Sequence, residues 1–448
     1  MRELFPFAAV AFILLVFARV DAYAQSPAPE KLNFKRALQL ALEKNPDYDT
    51  LVRTERNQTL ERKNAWSSLL PSVDLTANHA YTRYSREGLA SGSNRTLGLG
   101  IHEPWTNSLG LSITENLYDN GETWRNAKIA NLNADISKLN LQQGKNKTLV
   151  DVAKAYFDYS EAFFTLSLQK EQQTTLRTQF KSIETRYFQG LSSNRDYLRI
   201  KTDLQRSEVQ ILNSEFRVRE VKENLIATIG VSGEYEFEPY DPKGIRVELL
   251  SAPRIDPEQT FEFRVARAQE EIADIQYTSA QRAYWPRLSL RGSYEYTQPQ
   301  YIGERFEYVD DPFWNLSGLI VLEYNLWDWG IRRRNVEIAA NARAIEINGR
   351  ERQRIQTRQS LSILTQNNRV IVSSLKVSAQ ILRASEDVYT SLNRGYREGK
   401  VIYTDLISAL GNFYDSRTQD ITLRFSLLKN RADLAYYEGN ADEVLNQQ

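Results

Sequence analysis

The side chains that could do chemistry in this chain are few, and their types narrow the chemistry. There is no cysteine, so disulfides, thiolate metal sites and a cysteine nucleophile are excluded. The two histidines, His79 and His102, fall in or beside predicted strands and loops. Lysine plus arginine equals aspartate plus glutamate, 57 of each, so no bulk charge favours nucleic acid. We therefore expect that the protein is not an enzyme and that it binds no cofactor, no metal ion and no nucleic acid.

The most specific spacing in the sequence is Y-x-x-G-x5-D, which occurs twice at an offset of 209 residues (399 − 190). A glycine can take the positive φ that reverses one helix into the next. A carboxylate near the start of the returning helix interacts favourably with the helix dipole, so capping is a sufficient role for both aspartates. The two copies are Tyr187, Gly190, Asp196 and Tyr396, Gly399, Asp405.

A second duplication lies upstream of these turns and indicates the architecture. Residues 70–82 (LPSVDLTANHAYT) and 284–297 (YWPRLSLRGSYEYT) match at an offset of 215 residues (286 − 71). In both copies a helical pattern stops at a proline, and an alternation of period two follows. The change of offset from 215 to 209 places a six-residue difference in the predicted loops 83–106 and 298–313. The chain is therefore expected to be two tandem copies of one plan.

The predicted organisation begins with a signal peptide at 1–24, where Arg2 precedes an apolar run and an A-x-A site at 22–24. No other segment reaches the roughly twenty apolar residues of a membrane-spanning helix. Both repeats have the order helix, β-hairpin, long helix, return helix. The predicted bounds are 25–230 for the first repeat (hairpin 72–118, long helix 122–187, return helix 195–229), 231–256 for a linker, 257–438 for the second repeat (hairpin 287–327, long helix 331–396, return helix 404–437) and 439–448 for a tail.

Each predicted strand has about eleven residues, the length that a tilted strand needs to cross a membrane. Polar residues such as Asp74, Asn78, Ser112 and Arg291 alternate with apolar ones. Four strands cannot close a barrel, and an open sheet edge cannot face lipid. We therefore expect a mainly α-helical fold with four transmembrane β-strands per chain, which complete a 12-stranded barrel in a homotrimer. The long helices, matched by stacked pairs of shorter ones, would continue this barrel as an α-helical periplasmic cylinder.

The sequence resembles the TolC-type outer-membrane efflux proteins, also called outer-membrane factors. The likeness is carried by LQLALEKNPDY (38–48), by the turns LYDNG and LWDWG, and by RYFQGLSSNRDYL (186–198) and GYREGKVIYTDLI (395–407). It implies that the glycine turns form the periplasmic entrance, with Asp196 and Tyr396 as a latch pair and Asp405 around the pore. The family's second aspartate is here Ser408, and its arginine is here Val401. The turn residues that would contact an adaptor are Gly190, Leu191, Ser192, Gly399, Lys400 and Val401.

The leading hypothesis is a passive exit duct of a tripartite efflux or type I secretion system. It would lie in the outer membrane of a Gram-negative-type cell and extend into the periplasm. Because the sequence has no nucleotide-binding loop, the energy would come from partners: an inner-membrane pump and a periplasmic adaptor (membrane fusion) protein. The alternative is a structural or adhesive surface protein with long coiled coils, and a periplasmic adaptor is a third possibility. The duplicated amphipathic strands favour the duct over both.

Overall fold

The computed structural model describes residues 30–81, 105–242, 255–300 and 313–446. The predicted signal peptide, His102, most of the two strand-connecting loops and residues 243–254 of the predicted linker lie outside this part of the chain. The chain divides into two compact units. We call residues 47–144 and 254–363 the sheet unit, and residues 1–46, 145–253 and 364–448 the tip unit.

The elements of the described chain follow the predicted order twice. In chain order they are β1 (Glu30–Leu32), α1 (Phe34–Lys44), α2 (Pro46–Ser67), β2 (Ser72–Tyr81), β3 (Trp105–Tyr118), α3 (Glu122–Phe188), α4 (Asn194–Ile229), β4 (Tyr235–Phe237), a 3-10 turn (Pro257–Gln259), α5 (Phe261–Arg282), β5 (Arg287–Gln300), β6 (Phe313–Glu323), α6 (Ile331–Arg397), α7 (Tyr403–Glu438) and α8 (Ala441–Asn446). The two long helices have 67 residues each and end one residue beyond the predicted bounds. Among the described residues, no helix combines the length and the apolar character needed to cross a membrane.

The sheet unit contains one antiparallel sheet in the order β2-β3-β5-β6. Its two faces differ in chemistry, as the alternation of period two predicts. One row across the sheet is polar and the next is apolar: Asp74, Ser112, Ser293 and Ser317, then Leu75, Leu111, Tyr294 and Leu316. The last strand ends at Glu323 rather than at the predicted Trp327. It stops there because its partner β5 begins at Arg287, which pairs with Glu323, and Pro286 before it has no N–H to donate. Beyond the strand, the Asn325 side chain accepts a hydrogen bond from the Trp327 N–H (3.1 Å).

The helices of the sheet unit pack side by side in the same order as the strands to which they connect along the chain. The Trp66 indole of α2 donates to Asn131 of α3 (3.0 Å). Helix α3 contacts α5 through Arg125 and Ser279 (2.6 Å). Helix α5 contacts α6 through an ion pair between Glu270 and Arg350 (2.7 Å). The order is therefore α2-α3-α5-α6, with an element of the first repeat at one edge and an element of the second at the other.

Four helical segments of the tip unit pack in the order α4-α3-α7-α6. Lys170 of α3 pairs with Glu215 of α4 (2.8 Å), and Asn368 of α6 bonds Asn430 of α7 (3.1 Å). A ladder of ion pairs joins α3 to α7 and, at its last pair, to Asp442 of α8. The two residue numbers of each pair sum to nearly the same value, as an antiparallel register requires. Its pairs are Lys145–Asp442, Lys154–Asp433, Asp158–Lys429 and Glu171–Arg417.

An aromatic core anchors the α1 end of the tip unit. Tyr156 is fully buried, and its hydroxyl donates to the backbone carbonyls of Leu32 in β1 and Glu238 beyond β4. Burial raises the pKa of Tyr156, so the hydroxyl stays neutral and remains a donor. The parallel pair β1–β4 is thereby fixed against α3. Rings that pack around Tyr156 in this core are Phe34, Tyr159 and Phe237.

Candidate aperture at the helix turns

Both predicted glycine turns adopt the same helix-ending backbone. Gly190 has φ 74°, and Leu191 N–H donates to Arg186 O (2.8 Å) while Gly190 N–H donates to Tyr187 O (3.0 Å). This pair of bonds defines a Schellman motif. A Cβ at Gly190 would meet no atom within 4 Å. Glycine is therefore required by the positive φ and not by lack of space.

The second turn repeats these bonds. Gly399 has φ 72°, Lys400 N–H donates to Gly395 O (2.9 Å), and Gly399 N–H donates to Tyr396 O (3.1 Å). The surroundings differ, because a Cβ at Gly395 would lie 2.7 Å from the Val401 side chain. Val401, which stands where the resembled family has arginine, is therefore packed against its own turn.

Asp196 lies at the third position of α4, but another residue caps the helix. The Ser193 hydroxyl accepts a hydrogen bond from the Asp196 N–H (3.1 Å). The Asp196 carboxylate is partly buried and lies 3.9 Å from the Arg195 guanidinium. The carboxylate is thus free to act on neighbours beyond its own helix end.

Tyr396 is the residue on which three helices converge. Burial raises the pKa of Tyr396, the Asp196 carboxylate on α4 raises it further, and the Arg186 guanidinium on α3 opposes both. The Arg186 Cζ lies 5.3 Å from the centre of the Tyr396 ring, a cation–π contact. The structure therefore brings Asp196 and Tyr396 into one electrostatic cluster. It adds Arg186, which sequence reasoning missed because it looked for an arginine at Val401.

Asp405 stands apart from this cluster. It is exposed at the third position of α7, and the N-cap residue Ile402 provides no side-chain hydrogen bond. Within the described ranges its carboxylate makes no hydrogen bond and no ion pair. Its backbone N–H donates to Ile402 O (3.2 Å). The structure thus places Asp405 at the turn with its charge uncommitted.

Tyr403 is a second residue that the sequence did not single out. Its side chain is 2% exposed, and its hydroxyl has no hydrogen-bond partner among the described residues. Burial, and after it the Asp203 carboxylate, raises the pKa of Tyr403. Its ring lies 6.1 Å from that of Tyr396. A large side chain two residues before Asp405, at the first position of a helix, is the signal that could have indicated it.

The two turns expose different side chains. Leu191 is 74% exposed and Phe188, just before Gly190, is exposed too, whereas Ser192 is partly buried. At the second turn Lys400 is exposed and pairs with Glu398 (2.8 Å). Both turns therefore expose an apolar side chain, Leu191 in the first and Ile402 in the second, and the second also exposes a charged pair. Within the described part of the chain, no group of three or more histidine, aspartate or glutamate side chains is arranged to hold a metal ion.

Comparison with known proteins gives a family match along most of the chain. The family described as "Outer membrane efflux protein" matches residues 37–231 and 258–440. Outer membrane protein TolC of Salmonella enteritidis is 23% identical over 433 residues, which cover 92% of this chain and 82% of that protein.

Solved structures share the fold. The CmeC outer membrane channel of Campylobacter jejuni aligns with a TM-score of 0.76 at 13% identity, covering 91% of this chain and 86% of that one. The open state of the Neisseria gonorrhoeae MtrE outer membrane channel aligns with a TM-score of 0.72 at 17% identity, covering 91% and 89%. At these identities the likeness concerns the fold.

Proposed function

Because the chain belongs to the outer membrane efflux protein family, we propose that it is the passive exit duct of a tripartite efflux or type I secretion system. A periplasmic adaptor and an inner-membrane pump are its partners, and the pump supplies the energy. Family membership favours this role over the structural or adhesive surface protein. It places the protein in the outer membrane, extending into the periplasm.

The observation that carries the proposal is the strand order β2-β3-β5-β6. In the described sheet, β2 and β6 each have a neighbour on one side alone. Backbone groups at an open edge have no hydrogen-bond partner in lipid, so such an edge must pair with another copy. Three copies of four strands give a closed sheet of twelve, an even number within the range of known outer-membrane proteins.

The helices of the tip unit also support an assembly in which the outer elements of one copy contact those of the next. Helices α4 and α6 are the outer members of its row, and each carries exposed apolar side chains at helical spacing. On α4 these are Val209, Leu212 and Phe216, and on α6 they are Val370, Val377 and Ile381. Apolar stripes on both outer helices are consistent with a closed ring of copies. In such a ring, α4 in the first repeat of one copy packs against α6 in the second repeat of the next.

The glycine turns form the aperture of this duct. Tyr396, held by Arg186 and next to Asp196, couples α3, α4 and α6 in each copy. Asp405 places one uncommitted carboxylate per copy at the entrance. The tips around Gly190, Leu191 and Ser192 and around Gly399, Lys400 and Val401 contact the adaptor.

The test is native mass spectrometry of the full chain in detergent, followed by conductance in planar bilayers. A trimer that conducts ions is the expected result. A stable monomer, or a trimer without conductance, would contradict the duct. Phe216→Glu should weaken the trimer because it places a charge in an apolar seam, whereas the matched control Phe216→Leu should leave the mass unchanged.

A further inference from the structure

A groove runs along one face of α3 in the tip unit, and α4 and α7 form its two walls. It contains two adjoining cavities of about 310 Å³ and about 290 Å³, and Ser214 of α4 lines both of them. Cavities of this size are large enough for a small molecule. The floor of the groove is a stripe of α3 formed by Asp158, Glu161, Thr165, Gln169 and Gln172.

The groove lies away from the surfaces that neighbouring copies would cover. Helix α3 is an inner member of the row α4-α3-α7-α6. On α4, Gln210, Ser214 and Arg217 line the groove, at spacings of four and three residues that place them on one side of the helix. The exposed apolar residues 209, 212 and 216 of the proposed seam form a different stripe. Assembly of the copies would therefore leave the groove open.

The opposite face of α3 is covered by the aromatic core. Tyr156 donates to the Leu32 carbonyl of β1, and Ser160 accepts a hydrogen bond from the Tyr240 N–H (3.0 Å). Thr165, on the floor of the groove, lies about half a turn around the helix from Tyr156. A ring of helices that carried β1 and β4 on its inner side would narrow its own passage. In the proposed duct, the groove therefore faces the lumen.

One end of the groove carries an excess of negative charge. Lys429 of α7 donates to Asp158 (2.8 Å) and to Glu161 (3.0 Å). Burial lowers the pKa of Lys429, but these two bonds outweigh burial and raise it, so the ammonium stays charged. Arg217, on the other wall, is paired with Glu220 (2.7 Å). One ammonium thus serves two carboxylates, and one negative charge remains.

The other end of the groove offers acceptors without donors. Asp415 of α7 is exposed, and within the described ranges its carboxylate makes no hydrogen bond and no ion pair. The Gln169 Oε1 atom is buried and has no hydrogen-bond partner among the described residues. A buried acceptor costs free energy unless some group donates to it. The groove therefore favours a ligand that is cationic and rich in donors.

The spacing of the acceptors favours a linear ligand. Asp158 and Gln169 are eleven residues apart on α3 (169 − 158 = 11), which is about 16 Å at 1.5 Å per residue. Each ammonium group brings a positive charge and three donors. A metal ion or a single ammonium group reaches one end of the groove, whereas a chain of several ammonium groups reaches both.

We propose that this groove binds linear polyamines on the wall of the duct. The end ammonium groups pair with Asp158 and Glu161 and with Asp415, and an inner one donates to Gln169. Such a solvated groove binds weakly enough to release a passing ligand, as passage through a channel requires. The lumenal position of the groove rests on the proposed duct, whereas the binding itself does not.

The second repeat does not contain this floor. At the positions aligned with Asp158, Glu161 and Gln169 by the offset of 209 residues, it has an uncharged or an apolar side chain. These residues are Asn367, Val370 and Ser378. Each chain therefore has one groove of this kind.

The test is isothermal titration calorimetry of spermine, a linear tetraamine, with the full-length protein in detergent at low ionic strength. Asp415→Asn and Glu161→Gln should each weaken binding by about threefold to fivefold, the contribution of one solvated ion pair. Asp135→Asn removes an exposed carboxylate from the part of α3 in the sheet unit, and its affinity should match that of the unsubstituted protein. Equal affinity in the three variants would overturn the site. Because Asp415 is exposed and unpaired, its variant remains informative even if Glu161→Gln loosens α7.

A further variant tests the unpartnered acceptor. Gln169→Met keeps the length of the side chain and removes Oε1, so it should weaken spermine binding without lowering the free energy of unfolding. Unchanged affinity would contradict the contact with Gln169.

Competing cations test the class of ligand. Butylamine, with one ammonium group, should bind at least tenfold more weakly than spermine. Displacement of spermine by magnesium at the same concentration of charge would indicate general attraction of cations and overturn the proposal. Conductance is recorded separately, so a protein that binds spermine without conducting would refute the duct and keep the groove.

Discussion

The two helix turns of the tip unit have one backbone and two chemistries. Gly190 and Gly399 share φ within a few degrees and the same pair of Schellman bonds. Around the first turn, Ser193 caps the returning helix and Leu191 is exposed. Around the second, Ile402 provides no side-chain cap and Asp405 is uncommitted. The duplicated motif therefore encodes the reversal of the chain, whereas its equivalent aspartates, Asp196 and Asp405, have different neighbours in the two copies.

The largest effect on export is expected from substitutions that prevent the backbone conformation shared by the two turns. Gly190→Pro and Gly399→Pro cannot take a positive φ and lose the N–H that bonds the preceding tyrosine carbonyl. Each should destabilise its turn by about 3 kcal/mol or more and abolish export. The four-stranded sheet belongs to the other compact unit, so outer-membrane insertion should persist. Export assays and membrane fractionation measure both.

Asparagine is the matched control at these positions. Gly190→Asn and Gly399→Asn keep a residue that tolerates positive φ, and a Cβ there meets nothing within 4 Å. Both should export at nearly the unsubstituted rate. Failure of a proline variant to insert would show that the turn serves the sheet, and equal damage by asparagine would show that side-chain space matters.

A smaller effect separates the two tyrosines at the second turn. Tyr403→Phe removes a buried hydroxyl that has no partner in the described chain, so the free energy of unfolding should stay level or rise by about 1 kcal/mol. Tyr396→Phe should lower it, because that hydroxyl lies beside charged groups. Urea unfolding of both variants gives the comparison. A clear loss in Tyr403→Phe would mean that its hydroxyl is bonded after all.

The same tyrosines predict a pH dependence of stability. The pKa of Tyr396 and that of Tyr403 are raised in the folded state, mainly by burial. The folded protein then holds these protons more tightly than the unfolded chain, so their contribution is complete below about pH 10 and is lost as the pH rises further. Unfolding followed above pH 10 should show a smaller fall in Tyr403→Phe than in the unsubstituted protein. An equal fall would assign the effect to other tyrosines.

Arg186 tests whether the cluster holds the aperture closed. Arg186→Gln loses the cation–π contact with Tyr396, worth about 1 kcal/mol, and frees α3 from α6. Single-channel conductance should rise. Arg195→Gln removes an exposed neighbour whose closest ion pair is 3.9 Å long, and its conductance should be unchanged. Equal conductance in the two variants would mean that the loss of one positive charge, and not the contact with Tyr396, causes the effect.

The helices and strands could be predicted well from the sequence. Their hydrophobic periodicity extends over many residues, and proline or glycine marks the ends of the elements. The end of β6 is the exception, because the partner strand β5 begins at Arg287, opposite Glu323, although the apolar alternation continues beyond it. The site was less predictable. Asp196, Tyr396 and Asp405 were named from the motif, but Arg186 and Tyr403 meet Tyr396 only through the packing of α3, α6 and α7. No spacing within one repeat encodes such a contact, and the resemblance directed attention to Val401 instead.

Substitution of Asp405 is expected to have the smallest effect on stability. It is expected to have the most specific effect on block of the channel by cations. Its carboxylate makes no bond within the described ranges, so Asp405→Asn removes at most a dipole interaction of about 0.3–1 kcal/mol. In a closed trimer three such carboxylates surround one axis, and like charges brought close attract multivalent cations. Block by a trivalent cation from the periplasmic side should therefore weaken strongly in Asp405→Asn and much less in Asp196→Asn, whose carboxylate acts on Tyr396. Planar-bilayer recordings measure this block. Unchanged block in Asp405→Asn, together with a lower free energy of unfolding, would confine Asp405 to its own helix and make the two turns equivalent in chemistry as well as in backbone.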